Sequence, residues 1–348
     1  MPATYIDPTM TDLTSASPET AQESSPAALL DVRKLTKHFP VSAILGKHLV
    51  HAVEEASFTV ERGQVVALVG ESGSGKSTTV RLVARLIPAT SGEVYFHGVD
   101  VLKTESKGAS LAYRRKVQMI FQDPFSSLNS VHTIEHHLAR PLIVHKVSHN
   151  RSHLHNLVLE LLNTVGLLPA QEMARRYPHQ LSGGQRQRVA IARALAVDPE
   201  LILADEPISM LDVSIRMGIL NLIEQLKEER GIAYVYITHD LASARYIGDK
   251  TMVMYAGHMV EGGESEELMK NPAHPYTQVL LAAVPDPHAG LRTKKEIQAR
   301  GEVPSLIDPP PGCPFLPRCT SPTDLCRQEM PPVTQLGGEH WVRCYLYP

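Results

Sequence analysis

Eight residues, Gly70-Glu-Ser-Gly-Ser-Gly-Lys-Ser77, have the spacing G-x-x-x-x-G-K-[ST], a pattern whose backbone wraps phosphate groups. Gly70, Gly73 and Gly75 let the chain turn tightly and approach a phosphate where a Cβ would obstruct it. The N–H groups of such a loop and of the helix start behind it favour anionic oxygens. The candidate nucleotide cradle is therefore Gly70, Glu71, Ser72, Gly73, Ser74, Gly75, Lys76, Ser77 and Thr78. Lys76 would reach the β- and γ-phosphates and the Ser77 hydroxyl would ligate Mg²⁺.

Two further stretches carry chemistry of the same kind. Leu201-Ile-Leu-Ala-Asp205-Glu206 sets two acids at the end of an apolar run, where α/β folds place their ligands. Asp205 would help hold Mg²⁺ through its water shell and Glu206 would polarise an attacking water as general base. Leu181-Ser-Gly-Gly-Gln185 precedes a helical run. Ser182 with Gln185 three residues on is a capping box. A cap needs no glycines, so Gly183 and Gly184 leave a helix end bare for a closely approaching phosphate.

These groups require strands that end at the loop and acids, and helices that start there. Val66–Val69 reads as a buried strand into the loop, with a helix over Thr78–Leu86 behind it. Strands are predicted at Ala28–Leu35, His51–Val60, Gly92–Gly98, Val117–Phe121, Leu201–Ala204, Ala233–Ile237, Thr251–Tyr255 and His258–Glu261, with helices over Gly183–Ala196 and Ile215–Glu229. Leu154, Leu157, Val158, Leu161 and Leu162 recur at helical spacing. Strands alternating with helices predict an α/β fold with a largely parallel sheet, interrupted by a helical subdomain at about residues 123–185.

Composition narrows the function classes. Of 348 residues 43% are hydrophobic, enough for a sizeable core, and the net charge of −3 does not favour a nucleic-acid binder. No run approaches the roughly eighteen apolar residues needed to span a bilayer, so a membrane role would come through partner chains. Residues 1–28 are rich in Ser, Thr, Ala and Pro and read as a disordered tail without a secretory signal. The expected site of action is cytoplasmic.

Taken together the motifs resemble those of the ATP-binding-cassette (ABC) ATPases. LSGGQ at 181–185 is similar to that family's signature sequence, and the resemblance extends over residues 29–270 as a P-loop ATPase domain. It implies ATP and Mg²⁺ as ligands, with Gln122 as the Q-loop glutamine beside the metal. It likewise implies Asp212 as the D-loop acid, His239 as the switch histidine and Phe39 as the aromatic against adenine. Two such domains associate head-to-tail, so that the loop, Asp205 and Glu206 of one face Ser182, Gly183, Gly184 and Gln185 of the other. FQDPFSSLNS at 121–130, NPAHPYTQVLLAAVP at 271–285 and PSLIDPPPGCPFLPRC at 304–319 resemble the ATPases of oligopeptide/dipeptide importers. Residues 271–348 would be their C-terminal extension. The implied partners are a second ABC ATPase, two permeases and an extracytoplasmic binding protein, at the cytoplasmic face of the membrane. Relatives also move oligosaccharides or nickel chelates, and substrate choice lies outside this chain. A soluble cassette of DNA repair or translation would carry a coiled-coil insertion or a second cassette, and neither is seen.

All four cysteines, Cys313, Cys319, Cys326 and Cys344, fall in that extension. A reducing cytosol disfavours disulfides, and four thiolates suit either a [4Fe–4S] cluster or Zn²⁺. Simple burial is the third reading. The resemblance favours the cluster, since some importer ATPases with this extension bind one. His132, His136, His137, His145, His149, His153 and His155 crowd one segment and read as faces of the helical subdomain rather than ligands.

Overall fold

The computed structural model describes residues 28–43, 46–105, 108–283 and 304–347. The expected tail lies outside them apart from Ala28.

The strands are β1 (Leu30–Ala43), β2 (Gly46–Val60), β3 (Val65–Val69), β4 (Ser91–Phe96), β5 (Val99–Asp100), β6 (Val117–Ile120), β7 (Leu201–Asp205), β8 (Ala233–Thr238), β9 (Lys250–Tyr255), β10 (His258–Glu264), β11 (Thr334–Gly337) and β12 (His340–Val342). They run β5-β4-β1-β2-β10-β9-β3-β8-β7-β6 in one sheet. β9, β3, β8, β7 and β6 are mutually parallel. Every residue of β3, β7 and β8 is buried, as apolar strands covered on both faces must be.

The expectation of a largely parallel sheet holds for this half alone. β1 pairs antiparallel with both β2 and β4, and β10 antiparallel with β9. Parallel neighbours need long crossovers, whereas short turns suffice for antiparallel ones. β1 also runs past its expected end at Leu35. Its pairing with β2 shifts register between Val32 and Leu35, Leu35 and Lys37, and Lys37 and His38. Those irregularities break the period-two alternation by which a strand is recognised.

Helices Ile134–Val144, Arg151–Thr164 and Ala170–Arg175 form the helical subdomain. The side chains of Thr133 and Asn150 accept hydrogen bonds from the His136 and His153 N–H groups, which starts the first two helices. Leu138, Leu142, Val158 and Leu162 are buried between them.

The C-terminal extension is built onto the ATPase core. β12 pairs antiparallel with β10 beyond the latter's bridge to β2 at His258, joining Val342 to Glu261 and Trp341 to Gly262. Glu261, fully buried, accepts from the backbone N–H groups of Ala273 and His274 at 2.8 and 2.9 Å and pairs with His340 Nε2 at 2.8 Å. One carboxylate thus ties β10, the start of helix Pro275–Ala282 and β12 together. Removing one partner leaves a buried polar group unpaired, at a cost of about 1–3 kcal/mol.

Candidate functional site

The phosphate loop connects β3 to helix Lys76–Val83. Two of its glycines are fixed by what surrounds them. A Cβ on Gly70 (φ +153°) would lie 2.1 Å from the Met254 carbonyl oxygen, and one on Gly75 (φ +106°) 2.4 Å from that of Ala52. Backbone from β9 and β2 therefore forms the wall behind the loop.

Lys76 is buried, and its Nζ donates to the carbonyls of Gly70 and Glu71, each at 2.8 Å, and to Ser74 Oγ at 3.2 Å. Burial lowers its pKa, against the opposing influence of Glu206, Asp205 and Glu71. The Ser77 hydroxyl donates to Asp205 Oδ1 at 2.7 Å. Burial raises the Asp205 pKa, and the Ser77 bond and Arg81 counter it.

Glu206 is the residue after β7 and holds a left-handed φ of +46°, a conformation that costs a non-glycine residue about 1–3 kcal/mol. Its N–H donates to the Ile237 carbonyl at 3.0 Å, and its own carbonyl accepts from Ser209 Oγ at 3.0 Å. This backbone bend directs the carboxylate between two polar side chains. Glu206 Oε2 accepts from Gln122 Nε2 at 3.0 Å and lies 3.3 Å from His239 Nδ1.

The loop residues from Gly70 to Thr78, Gln122, Glu206 and His239 line one cavity of about 850 Å³. Phe39 lines the same cavity, beside Val50, Ala52 and Leu306, and Lys37 Nζ lies 4.8 Å from the centre of its ring. The cavity thus combines a polar phosphate cradle with an apolar wall that suits an adenine ring. Asp205 stands behind Ser77 rather than in the lining.

Ser182, Gly183, Gly184, Gln185 and Asp212 are not among the lining residues of that cavity. The capping box at Ser182 is formed: Ser182 Oγ accepts from the Gln185 N–H at 3.3 Å and Gln185 Oε1 from the Ser182 N–H at 3.0 Å. Gly184 has a reason beyond openness to a phosphate, because a Cβ there would meet Ile215 Cγ2 at 2.5 Å. Asp212 is the residue before helix Val213–Arg230 and caps it with no side-chain bond. Met210 and Val213, on either side of it, are exposed at 54% and 77%.

Val50, Ala52, Leu306 and the anchors of Glu71 escaped the sequence reading. The Glu71 N–H donates to Tyr276 Oη at 2.8 Å, and the Glu71 carboxylate receives both terminal nitrogens of Arg318. The string His274-Pro275-Tyr276 was the available signal. His274 Nδ1 accepts from the Tyr276 N–H at 3.0 Å, Pro275 opens the helix and Tyr276 reaches the loop.

In the extension, Cys326 and Cys344 are buried and Cys313 and Cys319 half-buried, all as free thiols. The Cys313 N–H donates to the Cys326 carbonyl at 2.9 Å. Burial pushes the Cys313 thiol up to about 12 and raises Cys319 and Cys344, and neighbouring thiols add to each shift. Of the crowded histidines, His132, His136, His137 and His145 line a second cavity with Phe121 and Arg140. His132 and His136 stack at 4.0 Å.

The chain matches the model of the ABC transporter family over residues 53–209 and that of the oligopeptide/dipeptide transporter C-terminal region over 260–326. It is 42% identical to the oligopeptide transport ATP-binding protein AppF of Bacillus subtilis, covering 92% of this chain and 97% of that one. With the dipeptide transport ATP-binding protein DppF of Escherichia coli it shares 43% identity, over 91% of this chain and 94% of the relative. Among solved structures it is similar to the dimeric ATP-binding cassette MJ0796 in a post-hydrolysis state bound to ADP and Pi. That likeness has a TM-score of 0.60 at 30% identity and covers 68% of this chain and 98% of that one. The chain belongs to the ABC transporter ATP-binding family. It is an ATPase, with the P-loop fold of that family.

Proposed function

We propose that this chain is the subunit whose ATP hydrolysis powers import of oligopeptides or dipeptides through a membrane transporter. The observation that carries this is the single cavity joining the phosphate loop to Glu206, with Gln122 and His239 on the same carboxylate oxygen. Names of the relatives supply the peptide class, and the matched C-terminal region supports it.

Gly70–Thr78 would hold the phosphates, with Lys76 turning from the loop carbonyls to the β- and γ-oxygens. Ser77, Asp205 and Gln122 form an oxygen-donor set that fits Mg²⁺, which prefers carboxylate, hydroxyl and water ligands. When bound, the ion would neutralise charge developing on the phosphoryl oxygens. Glu206 would take the proton of the attacking water, and His239 and Gln122 would fix its carboxylate. Phe39 would pack on adenine.

The signature segment lies away from the chain's own cradle, which supports a head-to-tail pair in which Ser182–Gln185 completes the site of a second ATPase. Exposed Met210 and Val213 around Asp212 fit that contact. The domain reading is an ATPase unit over 29–270, with its helical subdomain at about 123–185, and an extension over 271–348. Among the described residues no helix is long and apolar enough to cross a membrane. Membrane partners would then be two permeases fed by a binding protein, with this chain on the cytoplasmic face.

Cys313, Cys319, Cys326 and Cys344, two half-buried and two buried free thiols in one extension, supply the four sulfur donors that a tetrathiolate centre uses. Four thiolates can hold either tetrahedral Zn²⁺ or a [4Fe–4S] cluster, and the resemblance to importer ATPases with this extension favours the cluster. Its chemistry here would be to staple a lobe with little core of its own. Anaerobic purification should give a brown protein with four irons per chain, and a colourless, iron-free protein would retire the cluster.

The transport reading is tested by co-expression with candidate permeases and reconstitution in vesicles. ATP-dependent uptake of a labelled peptide is the expected result. A monodisperse chain that ignores permeases and copurifies with nucleic acid would overturn it.

A further inference from the structure

We propose that Arg318 is a positioning residue of the ATPase reaction, through which the C-terminal extension holds Glu71 and neutralises it beside the phosphate cradle. The inference rests on the ATP-site reading above.

Glu71 is the second residue of the phosphate loop and lines the same cavity as Lys76 and Glu206. Its carboxylate, next to the triphosphate position, would repel ATP if left as a free charge. Arg318 meets it in a two-pronged pair, Nη1 to Oε2 at 2.8 Å and Nη2 to Oε1 at 3.0 Å. This fork geometry combines strength with fixed orientation. The Arg318 side chain is only 9% exposed, and the pairing raises its pKa, so it is permanently charged.

The guanidinium is itself held. Nη1 also donates to Tyr255 Oη at 3.3 Å, and the group lies 5.7 Å from the Tyr255 ring and 5.9 Å from the Phe315 ring. Tyr255, Tyr276 and Phe315 are fully or almost fully buried and pack edge to face or tilted, with centroids 4.5–5.5 Å apart. Tyr276 accepts the Glu71 N–H, and Lys76 donates to the Glu71 carbonyl. Glu71 is thus fixed at its amide, its carbonyl and its carboxylate. Two of those three anchors, Tyr276 and Arg318, lie in the expected extension. Neither lines the nucleotide cavity itself, so the effect falls on binding of ATP rather than on the chemical step.

The test compares steady-state ATPase kinetics and fluorescent-ATP binding of the full chain with Arg318→Ala, Arg318→Lys, Glu71→Gln and the double variant R318A/E71Q. Arg318→Ala should raise the KM for ATP about tenfold with kcat nearly unchanged, because it leaves a carboxylate unpaired. Removing that charge in R318A/E71Q should recover most of the lost affinity, and Arg318→Lys should fall between. A general loss of structure would not be repaired by a second substitution in another element. A wild-type KM in Arg318→Ala, or a double variant no better than R318A, would overturn the proposal. Glu206→Gln serves as the control for the site itself: if it hydrolyses ATP normally, the ATP-site reading fails instead.

Discussion

Ser77 Oγ and Asp205 Oδ1 meet at 2.7 Å, joining the first turn of the helix after the phosphate loop to the end of β7. Two oxygens from separate elements, one of them on a buried carboxyl, would hold a shared divalent ion in the proposed mechanism. Asp205→Asn should therefore weaken Mg²⁺-dependent ATP hydrolysis far more than Mg²⁺-independent nucleotide binding. Titrating Mg²⁺ against rate at fixed ATP checks this, and an unchanged Mg²⁺ requirement would exclude the pairing as a metal site.

Glu206→Gln preserves the shape of the carboxylate and removes its basicity. Turnover should fall by about 10²–10⁴-fold, while ATP binding persists and a nucleotide-bound dimer accumulates on size exclusion. His239→Ala should lower kcat as well, by less, since His239 would act by orienting the Glu206 oxygen it lies 3.3 Å from.

Stability should drop on acidification from two histidines. His258 is pushed down to about 4 and His274 to about 3, both by burial, and His274 Nδ1 must stay unprotonated to accept the Tyr276 N–H. A folded pKa below the unfolded value near 6.5 means the unfolded chain binds the extra protons. Their contribution is intact above about pH 6.5. It declines by about 1.4 kcal/mol per pH unit for each group down to the folded pKa. Chemical denaturation between pH 7 and pH 4.5 should show this slope, and His274→Gln should flatten it.

Gly184→Ala places a methyl 2.5 Å from Ile215 Cγ2, an overpacking that costs about 1–3 kcal/mol. Thermal unfolding should register the loss, and Ile215→Ala in the same chain should restore part of it. Independent losses in the double variant would show that Gly184 is required for something other than this packing.

The chemistry-bearing strings were legible because each is local. The loop Gly70–Ser77 and the run Leu201–Glu206 carry their strand, turn and charge within a few residues, and the loop shares one cavity with Gln122, Glu206, His239 and Phe39. What the sequence concealed is non-local. Glu71 and Arg318 are 247 positions apart, and no spacing rule joins them. Leu306 reaches the cavity through pairing of its segment with β2, where the His51 N–H donates to its carbonyl and Val50 bridges Ile307. The end of β1 is hidden because its bulges erase alternation, and the antiparallel part of the largely parallel sheet is hidden because strand runs do not declare their direction. Gly183 and Gly184 looked alike as letters, yet only Gly184 faces a neighbouring helix too closely for a side chain.

The order in which a ribosome delivers the chain gives the β10–β12 pairing a further meaning. Glu261 finds its His340 partner, and β10 its β12 neighbour, only after β12 has emerged. Arg318 follows the phosphate loop by more than two hundred residues of synthesis. A nascent cassette can thus form its central parallel strands early, yet its nucleotide cradle stays unbraced until Arg318 has followed. Prematurely terminated products would be released without that brace, and so poorly equipped to compete with full-length copies for ATP.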